Sequence, residues 1–167
     1  MRKFIGLFLI LGFIATLAVA QGFQQIPASE SAKRGMVMQE AGKSYIYAYA
    51  TAAATALTPY KLDWGSSLNP RVVALADGAT RDMIAIPESA VAVSTWGWFQ
   101  IKGDIDSVVV PSGSWVVERG VGIEDGVVSM EAAAPSGLDT EFGVITATNS
   151  ATSVDLYLFG RECLGST

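Results

Sequence analysis

The chain has 167 residues, of which 50% are hydrophobic and 16% are charged, and its formal net charge is −5. This length predicts a single domain with enough apolar material for a core, and the charged fraction lies below the roughly 25% typical of soluble domains. The eleven Lys and Arg residues are scattered along an acidic chain, which excludes it as a direct nucleic-acid binder because affinity for phosphate comes largely from clustered basic side chains.

Residues 1–20 have the pattern of a secretory signal. Arg2 and Lys3 precede the uncharged run 4–20, and the small residues that end this run fit cleavage before Gln21. We therefore predict a signal peptide. The alternative is a retained hydrophobic anchor, since the run just reaches the length of a membrane span. A membrane contact is expected only through this run, and only if it is retained.

The remaining chain divides into an arm, a domain and a tail. Residues 21–43 are polar and have no sustained period, which predicts a flexible or extended arm. We place a β domain over residues 44–160 and a short C-terminal tail over residues 161–167.

The domain begins with a strand signal over residues 44–50, SYIYAYA. Tyr45, Tyr47 and Tyr49 alternate with small or aliphatic residues. A period of two places the tyrosines together on one face of a strand. The next residues, 51–57, are too short for a stable helix and are read as a loop or single turn.

Residues 62–70 are rich in turn-forming residues, and Trp64 among them is expected to fill the core or an interface. Short apolar strands are predicted over residues 72–76 and 83–86, separated by the turn pair at Asp77 and Gly78.

The most apolar stretch of the domain is 89–103, SAVAVSTWGWFQIKG. Its alternation predicts a central strand with Trp96 and Trp98 on the face opposite Phe99. We expect one face to be covered by the domain's own core and the other by a neighbouring subunit. Gly97 is expected where a Cβ would crowd a close approach.

The rest of the domain is predicted as short strands joined by turns. A turn over residues 103–107 is followed by strands at 108–110, 115–117, 127–130, 142–147 and 154–159, and the pair Asp125 and Gly126 signals a hairpin. In total this gives about eight to ten short strands spaced about 8–12 residues apart. That pattern is typical of an all-β sandwich or barrel.

The sequence contains no histidine, which removes Ser-His-Asp and Cys-His nucleophilic sites and the usual zinc ligand sets. Asp104 and Asp106 could seat a calcium ion, although two solvated turn residues are the favoured interpretation. We predict no enzymatic activity and no cofactor.

The aromatic residues are the candidate interface or packing residues. They are Tyr45, Tyr47, Tyr49, Trp96, Trp98, Phe99 and Trp115. The alternative for the tyrosines and the two central tryptophans is a carbohydrate-stacking platform, but Tyr and Trp are enriched in cores and interfaces anyway. The lone cysteine, Cys163, is either a tolerated thiol or an interchain disulfide.

The order of these features resembles that of tailed-phage capsid decoration, or head-stabilising, proteins. The residues that carry the resemblance are Gly42 with SYIYAYA, Ala90–Val93, Trp96–Gly103, Ser112–Val117, Asp125–Val128, Gly143–Ile145 and Val154–Leu158. The resemblance implies a β-rich domain that binds the outside of an icosahedral capsid, often as a trimer, with the major capsid protein as partner and no catalysis. The signal-like prefix favours the alternative of a secreted or cell-surface bacterial β protein, either a filament subunit or a carbohydrate-binding module.

Overall fold

A computed structural model describes residues 34–64, 69–75, 83–124, 126–130 and 140–160. Its secondary structure consists of ten β-strands, which confirms the predicted all-β class. The strands are β1 (Val37–Glu40), β2 (Lys43–Ala50), β3 (Tyr60–Asp63), β4 (Arg71–Val73), β5 (Met83–Ala85), β6 (Trp96–Val109), β7 (Gly120–Glu124), β8 (Val127–Met130), β9 (Thr140–Ser150) and β10 (Ser153–Phe159). None of the described residues forms a helix long and apolar enough to cross a membrane.

All ten strands belong to one strongly curled sheet with the order β5-β3-β4-β2-β6-β10-β9-β7-β8, and β1 pairs with β2 beside this path. The pairings are antiparallel except for that of β2 with β4. The architecture is therefore a single curled sheet rather than a two-sheet sandwich.

The first half of the sheet closes on itself. Directly after β5, Ile86 forms an antiparallel bridge with Gln100 of β6, through backbone N–O distances of 2.9 Å and 2.8 Å. The strands β2, β4, β3, β5 and the first half of β6 thus form what we term the strand ring. The second half of β6, with β10, β9, β7 and β8, forms what we term the open half.

Each half has its own apolar core. The ring core consists of Ile46, Ala48, Ala50, Ala54, Leu62, Val72, Ala85, Val91, Phe99 and Ile101. The second core is built mainly by the open half, and it also includes Ile84 and Ile86 from the ring. These two isoleucines join the halves through apolar contact as well as through the backbone bridge.

Strand β6 runs through both halves, and here the structure corrects the sequence analysis. The turn predicted over residues 103–107 is part of a strand of 14 residues. Gly103 and Ser107 take left-handed φ values of 94° and 59°, and the register with β10 shifts between Val154 and Leu156. The pairing with β10 is in unbroken register from Lys102 to Ile105, and the β-bulge falls at Asp106 and Ser107, so Gly103 takes its left-handed φ without ending the strand.

Four further segments differ from the predictions. Residues 89–95, the first part of the predicted central strand, form a loop with an isolated bridge at Val91, and β6 begins at Trp96. Residues 37–40, assigned to the arm, form β1, and residues 60–63, assigned in part to a turn-rich segment, form β3. The strand predicted over 115–117 is a loop. Its shape is fixed by the indole Nε1 of Trp115, which donates to the carbonyl oxygens of Pro111 and Ala151 at 3.1 Å and 3.2 Å.

Candidate functional site: the tyrosine–tryptophan face

The predicted aromatic residues of β2 and β6 meet on the outer surface of the strand ring. The register places Tyr47 opposite Trp98 and Tyr49 opposite Trp96. The Tyr47 ring stacks on Trp96 with centroids 5.6 Å apart and lies tilted against Trp98 at 5.1 Å. We call this set, with Tyr45 and Tyr49, the tyrosine–tryptophan face. Offset and tilted ring pairs at these distances are favourable beyond their burial.

Much of this face is already covered within one chain. Trp96 is 4% exposed and Tyr47 is fully buried, while Tyr49 and Trp98 are half-buried. Phe99 points to the opposite side and lies in the ring core, as the alternation predicts. Trp96 therefore needs no neighbouring subunit for its burial, and the fully buried ring of Tyr47 offers no stacking surface to a sugar.

The Arg34 side chain lies over the Trp96 ring. Its guanidinium carbon lies 5.1 Å from the centroid of the Trp96 ring, within the range of a cation–π interaction. Gly35 and Met36 follow along β2, where Gly35 N donates to Tyr47 O at 3.0 Å and Tyr47 N donates to Met36 O at 2.9 Å. These contacts hold the start of the described chain against the aromatic face.

Trp64 lies beside this segment and not in a core. A Cβ built on Gly35 would be 3.8 Å from Cζ3 of Trp64 and 3.5 Å from Cδ of Pro70. The Trp64 side chain is 41% exposed. The sequence analysis predicted that Trp64 fills the core or an interface, and its exposure excludes the core.

Tyr45, the first tyrosine of β2, belongs to a polar cluster with Lys43 and Glu88. Its hydroxyl donates to Glu88 Oε1 at 2.9 Å, and Lys43 Nζ donates to the same oxygen at 3.1 Å. The pKa of Tyr45 is raised well above its usual value by burial, by the hydrogen bond to Glu88, and by the negative charges of Glu88 and Glu40. The cluster ties β2 to the loop that follows the Ile86 bridge.

This pKa shift predicts a loss of stability at alkaline pH. An unfolded tyrosine ionises near pH 10, whereas folded Tyr45 keeps its proton at higher pH. The folded state therefore binds more protons above about pH 10, so the free energy of unfolding falls as pH rises, by at most about 1.4 kcal/mol per pH unit. Urea unfolding between pH 8.5 and 11 should show a steeper decline for the natural chain than for Tyr45→Phe. Parallel declines would contradict the assignment.

Gln100 lies beside Tyr45 in the register and is fully buried. Its Nε2 donates to the carbonyl oxygens of Lys102, Gly103 and Asp104 at 3.2, 3.2 and 2.9 Å. Its Oε1 has no hydrogen-bond partner in the described part of the chain. The side chain is therefore held by its donor end, at the point where β6 passes from the ring to the open half.

Gly97 confirms the predicted close approach. A Cβ at this position would lie 2.7 Å from Cγ2 and 2.9 Å from Cγ1 of Val91. Val91 is held in place by two backbone hydrogen bonds with Ala54, at 2.8 Å and 2.9 Å. The glycine thus makes room for a valine inside the ring.

The remaining candidates lie away from this face. Trp115 anchors its loop in the open half, and Cys163 falls outside the described residues. Asp104 and Asp106 are exposed on β6 and not in a turn. Across the described ranges, no group of three or more His, Cys, Asp or Glu side chains is placed to hold a metal ion.

Sequence reasoning missed three residues that shape the face: Arg34, Glu88 and Gln100. Arg34 and Glu88 reach it from segments without periodicity, and no local signal marked them. Gln100 carried a weak signal, since it is a polar residue on the same strand face as two tryptophans. A polar side chain in such a place usually has a buried hydrogen-bonding role.

Comparison with known proteins gives one similarity of fold. No family model matches this chain, and no curated protein matches it. A solved structure, that of the head fiber gp8.5 N base in bacteriophage phi29, is similar with a TM-score of 0.48 and 15% identity, over 71% of this chain and 95% of that chain.

Proposed function

We propose that this chain is a structural virion protein that binds the outer surface of an icosahedral capsid and stabilises it, as a decoration protein does. In this role it is not an enzyme and needs no cofactor. Its partners are the major capsid protein and other copies of itself.

One observation carries the proposal. The segments that resemble decoration proteins include SYIYAYA in β2, the Trp-Gly-Trp segment in β6, the Asp-Gly hairpin between β7 and β8, and the last strands β9 and β10. In the structure these strands form one uninterrupted run of neighbours, β2-β6-β10-β9-β7-β8. Segments that are scattered along the sequence thus build a single continuous sheet, which supports reading them as one architectural pattern.

The surface is also suited to binding other proteins. Large apolar side chains are exposed on both halves, including Met36 and Trp64 on the ring and Val116 and Val127 on the open half. Apolar surface of this kind supports association, because burying it is favourable by roughly 25 cal/mol per Å².

Co-sedimentation tests the proposal. Capsids assembled from the major capsid protein encoded with this chain would be mixed with the purified protein and separated on a sucrose gradient. We expect the chain to move with the capsids at a fixed ratio, and the decorated capsids to resist heating better than bare ones. Capsids that leave the chain at the top of the gradient at micromolar concentrations would overturn the proposal.

The alternative is a secreted or cell-surface bacterial β protein, and the signal-like residues 1–20 favour it. Sequencing the N-terminus of the native protein separates the two functions. A start at Gln21 on material recovered from the medium or the cell surface supports export. A start at Met1, or at Met36 if translation begins at this internal methionine, on material recovered from particles supports the virion role.

A further inference from the structure

The tyrosine–tryptophan face is buried although it lies on the outside of the strand ring. Tyr45 and Trp96 are each 4% exposed, and Tyr47 is fully buried. Lys102 and Asp104 continue the same alternation along β6 beyond the face, and both are exposed. The described strands all belong to one sheet, so no second sheet among them lies over the face. The burial is therefore confined to the aromatic residues and requires a covering segment.

Contact among the rings themselves does not account for this burial. Tyr47 stacks on Trp96 and lies tilted against Trp98, with centroids 5.6 Å and 5.1 Å away. Side chains that stand side by side on a sheet shield one another's edges but leave their outer ends open to solvent. The guanidinium of Arg34 lies above this layer, 5.1 Å from the centroid of the Trp96 ring. A second layer of atoms therefore begins at Arg34.

The N-terminal end of the described chain lies directly beside the face. Gly35 and Met36 are hydrogen-bonded to Tyr47, and consecutive Cα atoms are about 3.8 Å apart, so the residues before Arg34 start next to the aromatic rings. The C-terminal end of the described chain lies farther along β6, since a Cβ on Gly160 would be 2.7 Å from Cβ of the exposed Lys102. The N-terminal segment is therefore better placed than the C-terminal tail to cover the face.

The composition and length of the N-terminal segment fit this role. Residues 21–33, QGFQQIPASESAK, lie outside the described residues and contain two large apolar side chains, Phe23 and Ile26. Phe23 precedes Arg34 by eleven residues. An extended chain spans about 3.3–3.6 Å per residue, whereas neighbouring strands are only about 4.8 Å apart. The segment is thus long enough to bring Phe23 onto any ring of the face.

We propose that residues 21–33 of the same chain lie over the tyrosine–tryptophan face, with the Phe23 ring packed against Tyr47 and Trp98. Offset and tilted contacts between aromatic rings favour this arrangement. The chain thus supplies its own cover for an aromatic surface that would otherwise be open to other molecules. The inference goes beyond the proposed function and does not depend on it, because a chain that starts at Met1 and one cleaved before Gln21 both keep Phe23.

Urea unfolding of the full chain tests the cover. Phe23→Ala should lower the equilibrium constant for folding about tenfold or more, since a buried phenylalanine side chain contributes at least that much. Phe23→Leu should lose less, because it keeps most of the apolar surface. Leu164→Ala makes a similar change in the C-terminal tail, and we expect it to stay within about twofold of the natural chain.

A double-mutant cycle with Trp98→Ala shows whether Phe23 acts through the face. The effect of Phe23→Ala should be smaller by at least about threefold in the Trp98→Ala background, because residues in contact are energetically coupled. Nuclear Overhauser effects between the ring protons of Phe23 and those of Tyr47 or Trp98 measure the contact in the natural chain, and they do not require any variant to fold. The same result at low and high protein concentration is expected for a cover supplied by the same chain.

Three outcomes overturn the inference. The first is an absence of Overhauser effects between Phe23 and the face, with additive effects of the Phe23 and Trp98 substitutions. The second is coupling of Leu164 rather than Phe23 to Trp98, which would make the tail the cover. The third is an effect of Phe23→Ala that grows with protein concentration, which would make the cover the segment of another copy. None of these outcomes bears on capsid binding, which co-sedimentation tests separately.

Discussion

Replacing Gly97 by alanine should destabilise the protein by about 1–3 kcal/mol, the usual cost of overpacking a well-packed core. The added Cβ would lie 2.7 Å from Cγ2 of Val91, closer than side chains tolerate. Val91 cannot easily retreat, since it is β-branched, buried in the ring core, and tied to Ala54 by two backbone hydrogen bonds.

A second substitution separates this steric cause from a general intolerance of the strand. Val91→Ala alone should cost about 2 kcal/mol, because it removes buried methyl groups. Gly97→Ala combined with Val91→Ala should cost little more than Val91→Ala alone, and so reveal a coupling of about 1–3 kcal/mol. Urea unfolding followed by tryptophan fluorescence measures all three variants.

Gly113→Ala is the matched control. Its Cβ would make only an ordinary contact, 3.5 Å from Nε1 of Trp115, and its φ is not left-handed. We expect its stability to lie within about 0.5 kcal/mol of that of the natural chain. Strict additivity of the Gly97 and Val91 substitutions would show that the close approach is not the reason for the glycine.

The local part of the fold could be predicted from the sequence because strand periodicity is a local property. The alternation in residues 44–50 places the tyrosines together, and that in residues 96–101 separates Trp96 and Trp98 from Phe99. The structure confirms both assignments of side chains to strand faces. It also pairs the two strands so that Tyr47 lies opposite Trp98. The sequence could not supply this register, which depends on the whole sheet.

The sequence could not predict the closure of the strand ring for a similar reason. It depends on the Ile86–Gln100 bridge, and neither residue carries a pairing signal. The cluster of Tyr45 with Glu88 joins residues 43 apart in the chain. The turn predicted over residues 103–107 was wrong because turns and bulged strands use the same residues, and only the pairing with β10 shows that the strand continues.

Gln100→Glu should destabilise the protein more than Gln100→Met does. The Nε2 of Gln100 donates to three backbone carbonyl oxygens at 2.9–3.2 Å, in a site with no exposure to solvent. A carboxylate in this place would set negative charge against those oxygens. An uncompensated buried charge costs about 3–5 kcal/mol, and we expect a loss of that size at pH 7.

Gln100→Met separates the loss of the donor from the arrival of a charge. Methionine has a similar size and leaves the three carbonyl oxygens without the amide, a loss of about 1–3 kcal/mol. The loss should lie toward the lower end of this range, because the substitution also removes the buried Oε1, which has no partner among the described residues. At pH 7 the glutamate variant should therefore be the less stable of the two.

The pH dependence of the stability of Gln100→Glu tests whether a buried charge causes its loss of stability. Burial and the neighbouring carbonyl oxygens would raise the pKa of this glutamate in the folded state above its unfolded value of about 4.3. Below that pH both states are protonated, and the neutral acid can donate one hydrogen bond, so the deficit relative to Gln100→Met should shrink. As pH rises above about 4.3 the unfolded state loses its proton first, and the deficit should grow until the folded group ionises. If the two variants differ by the same amount at pH 3.5 and pH 7, a buried charge does not account for the lower stability of Gln100→Glu.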